Sequence, residues 1–116
     1  MERDSNKNLA VRYLQKYAEK DMEVMRQMFA DDIVLRDWKI RVEGKIIALK
    51  ETQKNFDAAD SLDIEIISTY ENEDTIAAEL KIMVNGAEEL YVVDVITFNA
   101  SGKITSIRAY LGRGDN

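Results

Sequence analysis

The 116-residue chain passes from a mostly helical first half to a second half with one hydrophobic period throughout, and that division limits its fold more than any other feature. Up to Phe56 apolar side chains recur mostly three and four residues apart, the spacing of one helix face. From residue 61 onward they recur every second residue, the spacing of one strand face. Neither kind of segment can bury its apolar side without a second layer. The order therefore predicts an α+β domain over residues 1–116, with helices laid on one face of a meander of long strands.

Leu9, Ala10, Tyr13, Leu14, Tyr17 and Ala18 define the apolar stripe of a first helix. Asp21 is placed to cap a second helix carrying Met22, Met25, Met28 and Phe29. Ile33 to Trp38 and Ile40 to Glu43 read as short strands, the second closed by Gly44. Lys45 to Phe56 returns to helical spacing through Ile46, Leu49, Lys50, Gln53 and Phe56. Then Leu62, Ile64 and Ile66 alternate with Asp63 and Glu65, and Ile76 to Val84 alternates in the same way. Asn85-Gly86 is a hairpin signal, because both residues tolerate positive φ. Glu89 to Phe98 is apolar on both faces, which predicts a central strand. A turn at Asn99-Ala100-Ser101-Gly102 leads into a last strand, Lys103 to Leu111.

Composition removes whole classes of chemistry. Sixteen Lys and Arg against 22 Asp and Glu leave a net charge of −6 with no basic cluster, so neither nucleic acid nor an anionic membrane surface is an expected partner. No apolar stretch approaches the roughly 20 residues that span a bilayer. Residues 1–8 lack the apolar core of a secretion signal, and a cytoplasmic location is the expectation. Without cysteine there are no disulfides, thiol nucleophiles or thiolate metal sites. Without histidine there is no Ser–His or Cys–His mechanism and no usual zinc or non-haem iron ligand set. No compact carboxylate cluster argues for magnesium, and no Gly-rich loop is placed to hold a phosphate, so neither a metal nor a cofactor is expected. Acid–base chemistry in this chain must use Asp, Glu, Lys or Tyr.

Two acids fall on apolar rows. Ile33, Leu35 and Asp37 share a face of the first strand, and Leu90, Val92, Asp94, Ile96 and Phe98 share a face of the central one. An ionised carboxylate in such a row must be paired, be protonated or line a cavity. Burial raises a carboxyl pKa, which suits an acid to donate a hydrogen bond or to act as a base near neutral pH. The alternative is a purely structural role, with each acid held by backbone amides or a nearby Lys or Arg. Tyr13 lies on the inner stripe of the first helix and brings a hydroxyl that needs a partner if buried; Asp94 is a candidate.

Arg12-Tyr13-Leu14 through Asp21, Met28-Phe29-Ala30-Asp31-Asp32-Ile33-Val34-Leu35-Arg36-Asp37, Val93-Asp94-Val95-Ile96-Thr97-Phe98 and Gly102-Lys103-Ile104 to Ala109-Tyr110 together resemble the ketosteroid isomerases. Their wider superfamily holds the nuclear transport factor two-like and SnoaL-like polyketide cyclase domains. The resemblance spans nearly the whole chain and implies a cone-shaped, curved, mainly antiparallel sheet, with three helices from the N-terminal half closing an internal pocket. It also implies a homodimer through the outer sheet face. It gives Asp37 the role of general base, moving a proton between carbons flanking a carbonyl, and Tyr13 and Asp94 the role of an oxyanion hole.

Trp38, Phe29, Leu111 and Phe56 are the candidate substrate contacts. Phe29 and Thr52 stand where the best-known isomerases have supporting tyrosines. Trp38 replaces a proline after the base, Leu111 replaces an aromatic that covers the steroid, and the segment from Asp37 to Gly44 is shorter. These departures argue against a steroid substrate. The expected ligand is a small apolar molecule, and the leading reading is an isomerase or related lyase. Two alternatives remain: a non-catalytic binder, and a scaffold dimerising through Tyr91, Val93 and Val95. Hydrolase or dehydratase chemistry ranks below these, because Arg36 and Arg108 should point away from the pocket.

Overall fold

A computed structural model describes residues 4–115; Met1, Glu2 and Arg3, on which part of the reading of the chain's start rests, lie outside the described residues. The elements run α1 (Asn6–Ala18), α2 (Met22–Met28), β1 (Phe29–Arg36), β2 (Arg41–Glu43), α3 (Lys45–Ala58), β3 (Leu62–Asn72), β4 (Thr75–Val84), β5 (Glu88–Phe98) and β6 (Ile104–Leu111). The strands form one curved, unclosed sheet in the order β2-β1-β6-β5-β4-β3, and only the β1–β6 pair is parallel. This is the expected α+β architecture. The period-two segment supplies β3 to β6 as consecutive antiparallel neighbours, whereas β1 reaches β6 across most of the chain.

Local signals set most of the boundaries. The Ser5 hydroxyl accepts from the Asn8 backbone N–H at 3.1 Å to start α1, and Asp21 accepts from Val24 N–H at 3.1 Å to start α2. Asn85 and Gly86 take φ of 55° and 68°, and Ala87 N–H donates back to Val84 at 3.0 Å, which closes the β4–β5 hairpin. The Asn85 side chain does a second job: its Oδ1 accepts from Asp60 and Ser61 N–H and so ties the end of α3 to this hairpin.

Three expectations need correction. Phe29 does not belong to α2; it opens β1, four residues before the predicted start, because its backbone already pairs with Ile104. The β1 ladder ends at Arg36, so Asp37 and Trp38 lie in the turn to β2 and not in the strand. The buried face of α3 is Ala48, Thr52 and Phe56, while Ile46 and Ile47 are exposed. Small residues let that helix sit close to the sheet, and Thr52 meets its polar requirement by donating to Ala48 carbonyl at 2.8 Å.

The core lies between the helices and one sheet face, with Leu14, Met25, Phe29, Ile33, Ile76, Leu80, Ile96, Phe98, Ile104 and Ile107 among its buried side chains. Among the described residues, no helix is long and apolar enough to cross a membrane.

Candidate active site

The core is filled at one end and hollow at the other. Towards Phe98 the layers interdigitate. Towards the opposite end of β5, a cavity of about 380 Å³ opens between α1, the C-terminal half of α3 and the inner faces of β3 to β6. Pockets that hold small molecules start at roughly this size, about 300 Å³. The walls are mostly aliphatic, from Leu14, Leu62, Ile64, Leu80, Ile82, Leu90 and Val92. The polar groups are few: Tyr13 and Tyr17 from α1, Asp94 from β5, Asp37 from the β1–β2 turn, Thr52 and Asn55 from α3, and Lys39 and Glu88.

Asp94 faces this cavity because β5 keeps its alternation, with Val92 before it and Ile96 after it on the same side. Its cross-strand neighbours are Ala78 on β4 and Ala109 on β6, so neither flank carries a side chain that reaches it with a polar atom. Among the described residues nothing hydrogen-bonds or ion-pairs with the Asp94 carboxyl. Burial alone pushes it up to about 7, since the charged form has lost water and gained no partner.

Tyr13 comes down from α1 onto the same cavity. Its ring is buried at 5.8 Å from the Tyr17 ring and 6.4 Å from the Phe29 ring. Burial, then the neighbouring Asp94, then Tyr17 hold its hydroxyl well above the ordinary phenol value, so it keeps its proton. No protein acceptor takes that proton among the described residues.

Asp37 continues the inward row of Ile33 and Leu35 although the ladder has ended. Its Oδ1 accepts from Lys39 N–H at 2.7 Å and Ile40 N–H at 2.9 Å, and its own N–H donates to Ile40 carbonyl at 3.0 Å. The turn thus fixes one carboxylate oxygen and leaves the other without a partner among the described residues.

Tyr13, Asp37, Asp94 and Trp38 therefore meet at one cavity, with Trp38 at the rim and 44% exposed. The other three predicted contacts do not line it. Phe29 and Phe56 are buried one layer back, behind Tyr13 and edge-on to Tyr17 at 4.8 Å respectively, and they support the tyrosines instead of touching the space. Leu111 sits at the last residue of β6, where the ladder ends, and stays exposed. Arg36 lies over the Tyr110 ring at 5.2 Å and donates to its hydroxyl, and neither Arg36 nor Arg108 lines the cavity.

Sequence reasoning passed over Tyr17 and Asn55. Tyr17 was on the stripe, one turn after Tyr13, but nothing local set it apart from core. Asn55 carries no local signal, since only the packing of α3 against α1 brings its Nδ2 to the Tyr17 hydroxyl at 3.3 Å. No cluster of carboxylates among the described residues is arranged to hold a metal ion.

The model of the SnoaL-like domain family matches residues 10–107. No curated protein sequence matches the chain. Among solved structures, a candidate ketosteroid isomerase from Kribbella flavida superposes with a TM-score of 0.82 at 15% identity, covering 96% of this chain and 80% of that one. SalBIII, an epoxide hydrolase/cyclase-like enzyme of pyran ring formation in the polyether salinomycin, superposes with a TM-score of 0.79 at 24% identity, over 92% and 90%. An LEH-like epoxide hydrolase from M. tuberculosis gives 0.77 at 15% identity, over 90% and 80%. At these identities the likeness is one of fold.

Proposed function

Since this chain belongs to the SnoaL-like domain family, we propose that it is a small-molecule isomerase that moves a proton next to the carbonyl of an apolar substrate. One observation carries the reading. Tyr13 hydroxyl and Asp94 carboxyl line the same apolar cavity, both hold protons below neutral pH, and among the described residues neither has a protein partner to give them to. Two neutral donors in a mostly aliphatic cavity suit an oxygen that gains charge during the reaction. A protonated acid beside a phenol as the donor pair is the arrangement of the ketosteroid isomerases.

In this scheme the substrate is a ketone with a double bond one carbon removed from conjugation. Asp37 takes a proton from the carbon between carbonyl and double bond. The electron pair of that C–H bond becomes a new C=C bond, and the carbonyl π pair moves onto oxygen as an enolate that Tyr13 and Asp94 hydrogen-bond. The acid so formed at Asp37 returns its proton to the far carbon, the carbonyl re-forms, and the double bond ends conjugated. The sequence is redox-neutral and takes up no co-reactant. The turn around Asp37 holds the carboxylate still between the two transfers.

A fluorescent naphthol, a planar mimic of the enolate, tests the donor pair. Tight binding should fall about tenfold or more in Tyr13→Phe and in Asp94→Asn. Asp37→Asn should keep naphthol binding while slowing isomerisation of an accepted enone by about a hundredfold or more. A second reading, a non-catalytic pocket, draws on the engagement of Asp37 in its own turn. Naphthol binding indifferent to Tyr13→Phe and Asp94→Asn would favour it.

A further inference from the structure

We infer that Tyr17, oriented by Asn55, is a specificity-determining donor for a second oxygen of the substrate, so that the ligand is a dioxygenated apolar compound whose second oxygen is a carbonyl or ether. This rests on the isomerase reading and names its substrate class. The reaction above uses Tyr13 and Asp94 on one oxygen and Asp37 on carbon, and leaves Tyr17 without a task although it lines the same cavity.

Its placement is over-determined for a packing residue. Tyr17 follows Tyr13 by four residues, which puts both on one face of α1 with a rise of about 6 Å between them. The ring is held by Tyr13 at 5.8 Å and by Phe56 edge-on at 4.8 Å, so it has little freedom to swing out of the cavity. The hydroxyl accepts from Asn55 Nδ2 at 3.3 Å, and that bond uses an acceptor lone pair, not the proton. Among the described residues no group accepts the proton. A hydroxyl that already accepts a hydrogen bond is a better donor for its remaining one.

Electrostatics make this a permanent donor. Burial first, and then Asp94 and Asp37, push the Tyr17 hydroxyl up to about 12 against the smaller opposing effect of Asn55. It therefore offers a proton at every working pH and cannot serve as a base. The hydroxyl also lines the same cavity as both acids, between which the reacting part of a substrate would sit. A second oxygen a few carbons from the reacting carbonyl would reach it and take its proton, a partner that a purely hydrocarbon ligand cannot offer.

The test compares 2-naphthol with a panel of 2-naphthols carrying a methoxy or acetyl oxygen at different ring positions, each titrated into the 116-residue chain. Tyr17→Phe should weaken at least one oxygen-bearing probe about tenfold while changing plain naphthol by no more than about twofold. Asn55→Ala, a change at an exposed side chain that leaves the core intact, should weaken the same probe by a smaller factor. Tyr13→Phe should weaken every probe. If Tyr17→Phe affects all probes alike or none, the inference is overturned while the isomerase reading stands on the Tyr13 and Asp94 responses. If plain naphthol does not bind, or binds regardless of Tyr13 and Asp94, the isomerase reading falls and this inference falls with it.

Discussion

At the scale of single residues the governing fact is an acid that has no partner among the described residues. Asp94 titrates near 7 in the folded protein against 3.8 for an ordinary Asp, so between about pH 4 and pH 7 the native state binds a proton that the unfolded chain has released. Stability from this group is fully present below about pH 4 and is lost as pH rises through 7, at up to about 1.4 kcal/mol per unit. Asp94→Asn removes the titration. The stability of that variant relative to wild type, from urea unfolding, should therefore climb between about pH 4 and pH 7 and level off above. A flat difference would mean that the carboxyl is solvated or paired. Naphthol binding should follow the same group, weakening above about pH 7 as Asp94 ionises and repels a developing oxyanion. The alanines at 78 and 109 are what leave the acid alone. A residue with a polar reach at either place would make a hydrogen-bonded core carboxylate out of a cavity acid.

At the scale of elements, turns place the site. The β1–β2 turn holds Asp37 by two backbone amides, and the hairpin at Asn85 ties down the segment after α3 that closes the cavity's far wall at Ala59 and Leu62. Asn85→Ala removes both side-chain bonds and puts a Cβ without local hydrogen bonding at φ 55°. It should lower stability by about 1–2 kcal/mol, read as a reduced urea midpoint at unchanged m. Because the substitution leaves Tyr13 and Asp94 in place, naphthol binding should survive in the folded fraction. The misread stripe of α3 belongs to this scale too. Ile46 and Leu49 outweigh Ala48 and Thr52 in any count of hydrophobicity, yet the helix turns its small side inward because the sheet is close.

At the scale of the molecule, one sheet face is covered by helices and the other is not. On the uncovered face Tyr70, Val93 and Tyr110 are 60%, 36% and 48% exposed beside Tyr91 and Val95, an apolar surface that suits a second copy of the chain. We expect a homodimer through it, and Val93→Glu should yield a monomer by sedimentation equilibrium at micromolar concentration without loss of naphthol binding. A wild type that is monomeric under those conditions would refute the expectation. Neighbours along the chain set the division into helical and strand halves, the caps and turns, the inward faces of Tyr13, Asp37 and Asp94, and the restriction of the chemistry to carboxyl and phenol groups. The tertiary structure alone decided the parallel pairing of β1 with β6, the small residues flanking Asp94, the retreat of Phe29 and Phe56 behind the tyrosines, and the meeting of Tyr17 with Asn55. Those depend on which distant segments close on one another, and a local period of two or of 3.6 residues carries no information about partners thirty or seventy residues away.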